Sequence, residues 1–119
     1  MNQLNGTTLA YIGDAIYEVF VRDYFIKKGL TKVDDLHKSA IKYTSAVGQK
    51  AAYDLIASDL TEFEVSIFKR GRNANTDRKA RNTDLATYKK ATGFEALIGY
   101  LYIEGSKDRL DEIINKILK

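Results

Sequence analysis

The sequence predicts an all-α fold, and three features of its 119 residues indicate it. Apolar residues recur at helical spacing, and several of these stretches begin at a capping residue and end at glycine. The chain contains no proline, and it shows no sustained alternation of apolar and polar residues of the kind that marks strands. At this length, with 45% hydrophobic and 29% charged residues, we expect one globular domain over residues 1–119.

The first predicted helix is the most apolar element of the chain. Thr7 or Thr8 can cap it, and it runs to about Lys28 before Gly29 stops it. We expect this helix to lie in the middle of the fold, because apolar side chains cover most of its circumference. The broadest apolar face consists of Leu9, Ile12, Ile16, Val19, Phe20 and Ile26.

Five further helices are predicted, over about 33–43, 45–58, 62–70, 84–104 and 107–117. Thr61 and Glu64 form a capping box for the third of these, which we expect to stop at Gly71. Asn82 or Thr83 can cap the next helix, in which Gly93 marks a candidate kink. The last stretch has the apolar spacing of an amphipathic helix.

Positive charge is concentrated in residues 69–90, which we call the basic segment. It holds eight basic and two acidic residues, although the whole chain carries a net charge of only +3. Much of it has the composition of a loop. Lysine and arginine there could bind a polyanion by releasing counterions from phosphates. The alternative is a solvated loop whose charge only keeps the protein soluble.

Acidic residues interrupt two helices that are otherwise apolar. Asp14, Glu18 and Arg22 form a stripe at four-residue spacing on the first helix. Glu18 and Arg22 fit an ion pair that supports the helix, whereas Asp14 has no obvious cation nearby. Glu95 is the one charged residue between positions 93 and 103. A carboxylate against a packed core is costly, so Asp14 and Glu95 require an explanation.

Small residues indicate how these two acids could meet. Gly13 and Gly99 would let the two helices approach closely, and Asp14 and Glu95 could then face one another in a confined polar gap. A divalent cation would keep both carboxylates charged. Magnesium suits such a site because it takes oxygen ligands and keeps several waters, one of which could attack phosphorus. The alternative is a satisfied acid pair with a structural role.

Two motifs resemble those of the ribonuclease III nucleases. LAYIGDAIYE, at residues 9–18, resembles the signature helix of that family, and FEALIG, at residues 94–99, resembles its second conserved block. With RGRNA at residues 70–74 between them, they resemble the small bacterial form that lacks a separate domain for binding double-stranded RNA. The resemblance implies a ribonuclease III catalytic-domain-like fold of about six or seven helices.

The resemblance also assigns roles to the two acids. Asp14 and Glu95 match acidic positions of the family and would be both the catalytic residues and the metal ligands. Two outer acidic positions of the family hold Ala10 and Thr92 here, as in the small bacterial form. We therefore expect one firmly held magnesium ion in each site.

The activity implied by the resemblance is magnesium-dependent endonucleolytic cleavage of double-stranded RNA, which leaves 5′-phosphate and 3′-hydroxyl ends. The enzyme would be a cytoplasmic homodimer. Its substrate would be precursor 23S ribosomal RNA, and a large-subunit ribosomal protein is a further candidate partner. One alternative is a non-catalytic helical module that binds RNA or a ribosomal protein, which Ala10 and Thr92 would favour. A plain helical dimerisation domain is the other.

Without a second RNA-binding domain, the basic segment is the best candidate for holding the duplex. An A-form duplex is recognised mainly through its phosphates and minor-groove hydroxyls. The expected contacts are Arg70, Arg72, Asn73, Lys79 and Arg81. His37 and Lys38 are weaker candidates, because a lone histidine on a helix is more often an ordinary surface residue.

Overall fold

The computed structural model describes residues 4–74 and 84–118, and these form six α-helices and one short 3₁₀ turn at Ala57–Asp59. The helices are α1 (Gly6–Lys27), α2 (Val33–Thr44), α3 (Ala46–Ile56), α4 (Glu62–Arg72), α5 (Leu85–Ile103) and α6 (Lys107–Ile117). Within these two ranges there is no strand, so the all-α prediction is confirmed. No helix in the described ranges is long and apolar enough to cross a membrane.

The fold is built around the crossing of α1 and α5. A Cβ atom added at Gly13 would overlap the backbone carbonyl of Glu95, and one added at Gly99 would overlap the carbonyl of Leu9. The two backbones are therefore in direct contact, with no side chain between them at these positions. This is the close approach that the small residues predicted.

The remaining helices enclose this pair and bury one main core. Tyr17 of α1 meets Phe94 of α5 edge to face, with ring centroids 4.9 Å apart. Tyr53 of α3 stacks on Phe68 of α4, with centroids 3.8 Å apart. Helix α6 closes the other side of the core through Leu110, Ile113, Ile114 and Ile117.

The predicted core face of α1 was partly wrong. Val19 and Ile26 are 63% and 54% exposed, whereas Tyr17 and Val21 are fully buried. Apolar side chains surround this helix on nearly all sides, so their spacing could not separate the face against α5 from the face toward solvent.

Several helix boundaries also differ from the prediction. Asn5 caps α1, because its side-chain oxygen accepts the backbone N–H of Thr8 at 2.8 Å. Helix α4 continues through Gly71 to Arg72. Asp84 caps α5 by accepting the backbone N–H of Thr87 at 2.7 Å.

Other local predictions are confirmed or lie outside the described ranges. The capping box of Thr61 and Glu64 is formed, and Ser45 caps α3. Helix α5 runs without a break through Gly93, the position of the candidate kink. The alternative α5 caps, Asn82 and Thr83, lie outside the described residues.

Candidate active site

Asp14 and Glu95 line one cavity, which we call the acid cavity. It has a volume of about 170 Å³ and lies between α1, the end of α4 and the first half of α5. Because Asp14 is exposed, the cavity is accessible from the protein surface. Its lining residues are Thr7, Ala10, Tyr11, Asp14, Gly71, Ala74, Tyr88, Lys89, Thr92 and Glu95.

The two acids are more exposed to solvent than the sequence predicted. Asp14 is exposed and Glu95 is half-buried. The expectation that Asp14 lies against a packed core was therefore wrong, because its side of α1 borders the acid cavity rather than another helix. Among the residues that the structure describes, no lysine, arginine or histidine forms an ion pair with Asp14.

The two outer positions also lie in the wall of the acid cavity. Ala10 is buried, and Thr92 donates its hydroxyl hydrogen to the backbone carbonyl of Tyr88 at 3.0 Å. The described residues contain no cluster of three acidic or histidine side chains that could hold a metal ion.

Asp14 and Glu95 supply oxygen donors of the kind that a hard cation prefers. Mg²⁺ is commonly held by one or two carboxylates while waters and substrate phosphates complete its coordination. The acid cavity supplies two such groups from two different helices.

Sequence reasoning missed Gln49, which contacts one of the two acids. Gln49 lies on α3 and is 2% exposed, and its Nε2 donates to Glu95 Oε2 at 3.0 Å. It is one of few buried polar side chains in the described ranges. The sequence signal was weak, consisting only of a polar residue one position after Gly48 and three before the buried Ala52.

The described part of the basic segment begins on a helix rather than on a loop. Lys69, Arg70 and Arg72 belong to the last turn of α4. Gly71 and Ala74 line the acid cavity, so this end of α4 forms one edge of it. The helix that was predicted to stop at Gly71 therefore continues to Arg72, and Asn73 follows it as the C-cap.

The structure shows contacts for three of the five predicted RNA-binding residues. Arg70 donates to the backbone carbonyl of Leu4 at 3.0 Å. Arg72 donates to the Asn73 side chain at 3.1 Å, and its guanidinium lies 5.8 Å from the ring centroid of Phe68. Lys79 and Arg81 lie outside the described residues.

Two adjacent lysines of the basic segment have different surroundings. Lys89 lines the acid cavity. Lys90 instead forms an ion pair with Asp54 of α3, with Nζ 2.6 Å from Oδ1, and this contact lowers the pKa of Asp54. No pattern in the sequence distinguishes Lys89 from Lys90.

The other residues singled out on α1 and α2 lie away from the acid cavity. Glu18 and Arg22 form the predicted helical ion pair, with Arg22 Nε 3.0 Å from Glu18 Oε1. Both border a separate groove between α1 and α2, together with His37 and Lys38. This groove contains neither Asp14 nor Glu95.

Comparison with known proteins gives concordant matches. The model of the Ribonuclease III domain matches residues 7–106. A Mini-ribonuclease 3 of Enterococcus faecalis is 49% identical over 119 residues, covering 98% of this chain and 90% of that protein. A Mini-ribonuclease 3 of Staphylococcus aureus is 43% identical over 117 residues, covering 97% and 87%.

A solved structure shows the same fold. The crystal structure of protein FN1578 from Fusobacterium nucleatum superposes with a TM-score of 0.85 at 33% identity, covering 96% of this chain and 91% of that one. These matches confirm the resemblance seen in the two motifs and the expected enzyme class, an endoribonuclease. The chain belongs to the ribonuclease III family, within the group formed by the Mini-ribonuclease 3 proteins.

Proposed function

We propose that this protein is a magnesium-dependent endoribonuclease that cleaves both strands of an RNA duplex, with its active site in the acid cavity. The observation that carries the proposal is that Asp14 of α1 and Glu95 of α5 line one accessible cavity in a ribonuclease III fold. The whole chain, residues 1–119, would act as one catalytic domain.

Asp14 and Glu95 would hold the metal ion through their carboxylate oxygens. The ion, when bound, supplies a polarised water and stabilises negative charge on the scissile phosphate. Hydrolysis that breaks the bond to the 3′ oxygen leaves a 5′-phosphate and a 3′-hydroxyl. The direct backbone contact at Gly13 fixes the relative positions of the two helices that carry the carboxylates.

The phosphodiester backbone would be held by cations around the acid cavity. Lys89 lies in its wall, and Arg70 and Arg72 lie on the α4 turn whose Gly71 also lines it. Such contacts recognise the A-form backbone by shape and charge more than by sequence. Asn73, Lys79 and Arg81 complete the proposed set of RNA contacts.

The finer assignments follow from the family resemblance. We propose precursor 23S ribosomal RNA as the cytoplasmic substrate, with a large-subunit ribosomal protein as a further partner. We also propose a homodimer, which the exposed apolar side chains of α1 support, since Tyr11 and Val19 are 80% and 63% exposed. Sedimentation equilibrium of the purified protein tests the dimer.

The test of the activity is a cleavage assay on a defined RNA duplex with and without Mg²⁺. We expect Asp14→Asn and Glu95→Gln each to lower the cleavage rate by about 100-fold or more, because each removes a negative ligand of the ion. Binding of the uncleaved duplex, measured by fluorescence anisotropy, should stay within about threefold of the parent, because both changes preserve shape.

A matched control distinguishes the acid cavity from general loss of charge. Asp23→Asn removes an acid from α1, the helix that carries Asp14. Asp23 forms an exposed ion pair with Lys27, so this change should leave the cleavage rate unchanged. Duplex binding without cleavage in the parent protein would instead favour the non-catalytic module that Ala10 and Thr92 suggested. Full cleavage activity in Asp14→Asn would show that the acid cavity is not the active site.

A further inference from the structure

Glu95 is contacted by a side chain from a third helix. The Gln49 amide on α3 donates from Nε2 to Glu95 Oε2 at 3.0 Å, and Gln49 is almost fully buried. Burying a polar group lowers the stability of the fold unless the group forms hydrogen bonds. Of the two carboxylates in the acid cavity, Glu95 is the one that this buried amide contacts.

Other contacts fix α3 against its neighbours without the help of Gln49. Five residues farther along α3, Asp54 pairs with Lys90 of α5 at 2.6 Å. Between them, Tyr53 stacks on Phe68 of α4 at 3.8 Å between centroids. These contacts would hold α3 in place if the Gln49 amide were removed. We therefore expect α3 to stay docked when the hydrogen bond from Gln49 is lost.

We infer that Gln49 is a positioning residue, which holds the Glu95 carboxylate in the orientation that binds the metal ion. The inference deepens the proposed function and rests on it. Groups that hydrogen-bond a metal ligand restrict its rotation, and their loss typically weakens metal affinity or activity by about 10- to 100-fold. A neutral amide suits this place, because it donates a hydrogen bond without adding negative charge to a cavity that already holds two carboxylates.

The same contact explains how the site works with few acids. Ala10 and Thr92 contribute no carboxylate to the acid cavity. Much of the affinity for the metal ion would therefore come from Asp14 and Glu95. A site with two carboxylate ligands tolerates little rotation of either one. Gln49 supplies that restriction from α3, whereas the backbone contact at Gly13 fixes only the helices.

The test replaces the amide and measures metal binding separately from cleavage. Gln49→Met keeps the length and volume of the side chain but removes the N–H donor, and Gln49→Asn keeps the amide but withdraws it by one methylene. Titration calorimetry with Mn²⁺, without RNA, should show a dissociation constant raised about 10-fold or more in both variants. With the duplex, kcat should fall at fixed Mg²⁺ while KM for RNA stays unchanged.

A control variant and a stability measurement exclude a merely structural role. Asp54→Asn weakens another polar contact between α3 and α5, and it should leave the Mn²⁺ dissociation constant unchanged. Thermal unfolding in EDTA reports whether each variant is folded. If Gln49→Met unfolds, the more conservative Gln49→Asn carries the test.

The two proposals fail in different ways. The role of Gln49 alone is overturned if the parent protein cleaves RNA and binds Mn²⁺, and the folded Gln49 variants have the same kcat and the same metal affinity as the parent. A parent that binds Mn²⁺ but cleaves no duplex overturns the proposed function, while the calorimetry still decides the positioning of Glu95. A parent that does neither overturns both.

Discussion

Two regions of the molecule hold carboxylates in opposite ways. On α4, Glu64 accepts two hydrogen bonds from Arg109 of α6, at 2.8 and 2.7 Å, and a third from the backbone N–H of Thr61 at 2.9 Å. The Arg109 guanidinium and these hydrogen bonds hold the pKa of Glu64 below its usual value. In the acid cavity, Asp14 is exposed and has no ion-pair partner in the part of the chain that the structure describes.

The difference separates an acid that stabilises the fold from one available to a ligand. Each oxygen of Glu64 is occupied, and Arg109 also donates to the backbone carbonyl of Asp59 at 2.8 Å. This network joins α4, the 3₁₀ turn and α6. The two helices that border the acid cavity are held instead by a backbone contact at Gly13. Their arrangement therefore does not require an ion pair of the Asp14 carboxylate.

The largest effect is expected where that backbone contact is disturbed. In Gly13→Ala the new Cβ would overlap the carbonyl of Glu95, so α1 and α5 must separate. We expect a loss of about 3 kcal/mol or more in the free energy of unfolding, which exceeds the gain in helix propensity. Urea denaturation followed by circular dichroism measures it.

A substitution on an exposed helix face serves as the control. Ala51→Ser changes an exposed position of α3 and should alter the free energy of unfolding by only about 0.5 kcal/mol or less. A Gly13→Ala protein as stable as the parent would show that the direct contact of α1 and α5 is not what holds the acid cavity together.

The next effect concerns the paired acid. Arg109→Met keeps much of the side-chain volume but leaves the Glu64 carboxylate, 9% exposed, without its cation. We expect a loss of about 2–4 kcal/mol at pH 7, because a mostly buried charge is then incompletely compensated. Urea denaturation of the parent and the variant gives the difference.

The pH dependence of that difference is its control. Since the pKa of Glu64 is lowered in the folded state, its charged form contributes stability above the unfolded pKa near 4.5, and this is lost as pH falls through the folded value. The gap between parent and Arg109→Met should therefore narrow steadily below about pH 4.5. A gap that stays constant with pH would mean that Arg109 acts through packing rather than through charge.

The sequence predicted some contacts of both regions, but it did not predict the ion pair between Glu64 and Arg109. The capping box at Thr61 and Glu64 follows from local spacing, and the glycines correctly indicated where α1 and α5 touch. The pairing of Glu64 with Arg109 joins positions 45 residues apart, which no local pattern could indicate.

The candidate site shows the same limit. Asp14 and Glu95 stand out in the sequence because each is an acid within an apolar helix. Gln49 does not stand out, because an uncharged polar side chain on an amphipathic helix is unremarkable until the fold buries it against Glu95. Periodicity predicts which helices form, but it cannot tell a helix face against a neighbour from one facing a cavity or solvent, as Asp14 and Val19 both show.

The smallest expected effect concerns a third acid, on the same helix as Asp14. Glu18 pairs with Arg22 one turn along α1, where Arg22 is largely exposed. We expect Glu18→Gln to lower the free energy of unfolding by about 0.5 kcal/mol or less, because water and salt screen such a pair. A double-mutant cycle with Arg22→Gln at low and high salt isolates the pair, and its coupling energy should shrink as salt is added. A coupling energy above about 1 kcal/mol that does not change with salt would mean that Glu18, like Glu64, stabilises the fold. Exposure of an acidic side chain would then no longer distinguish the acids that stabilise the fold from those available to a ligand.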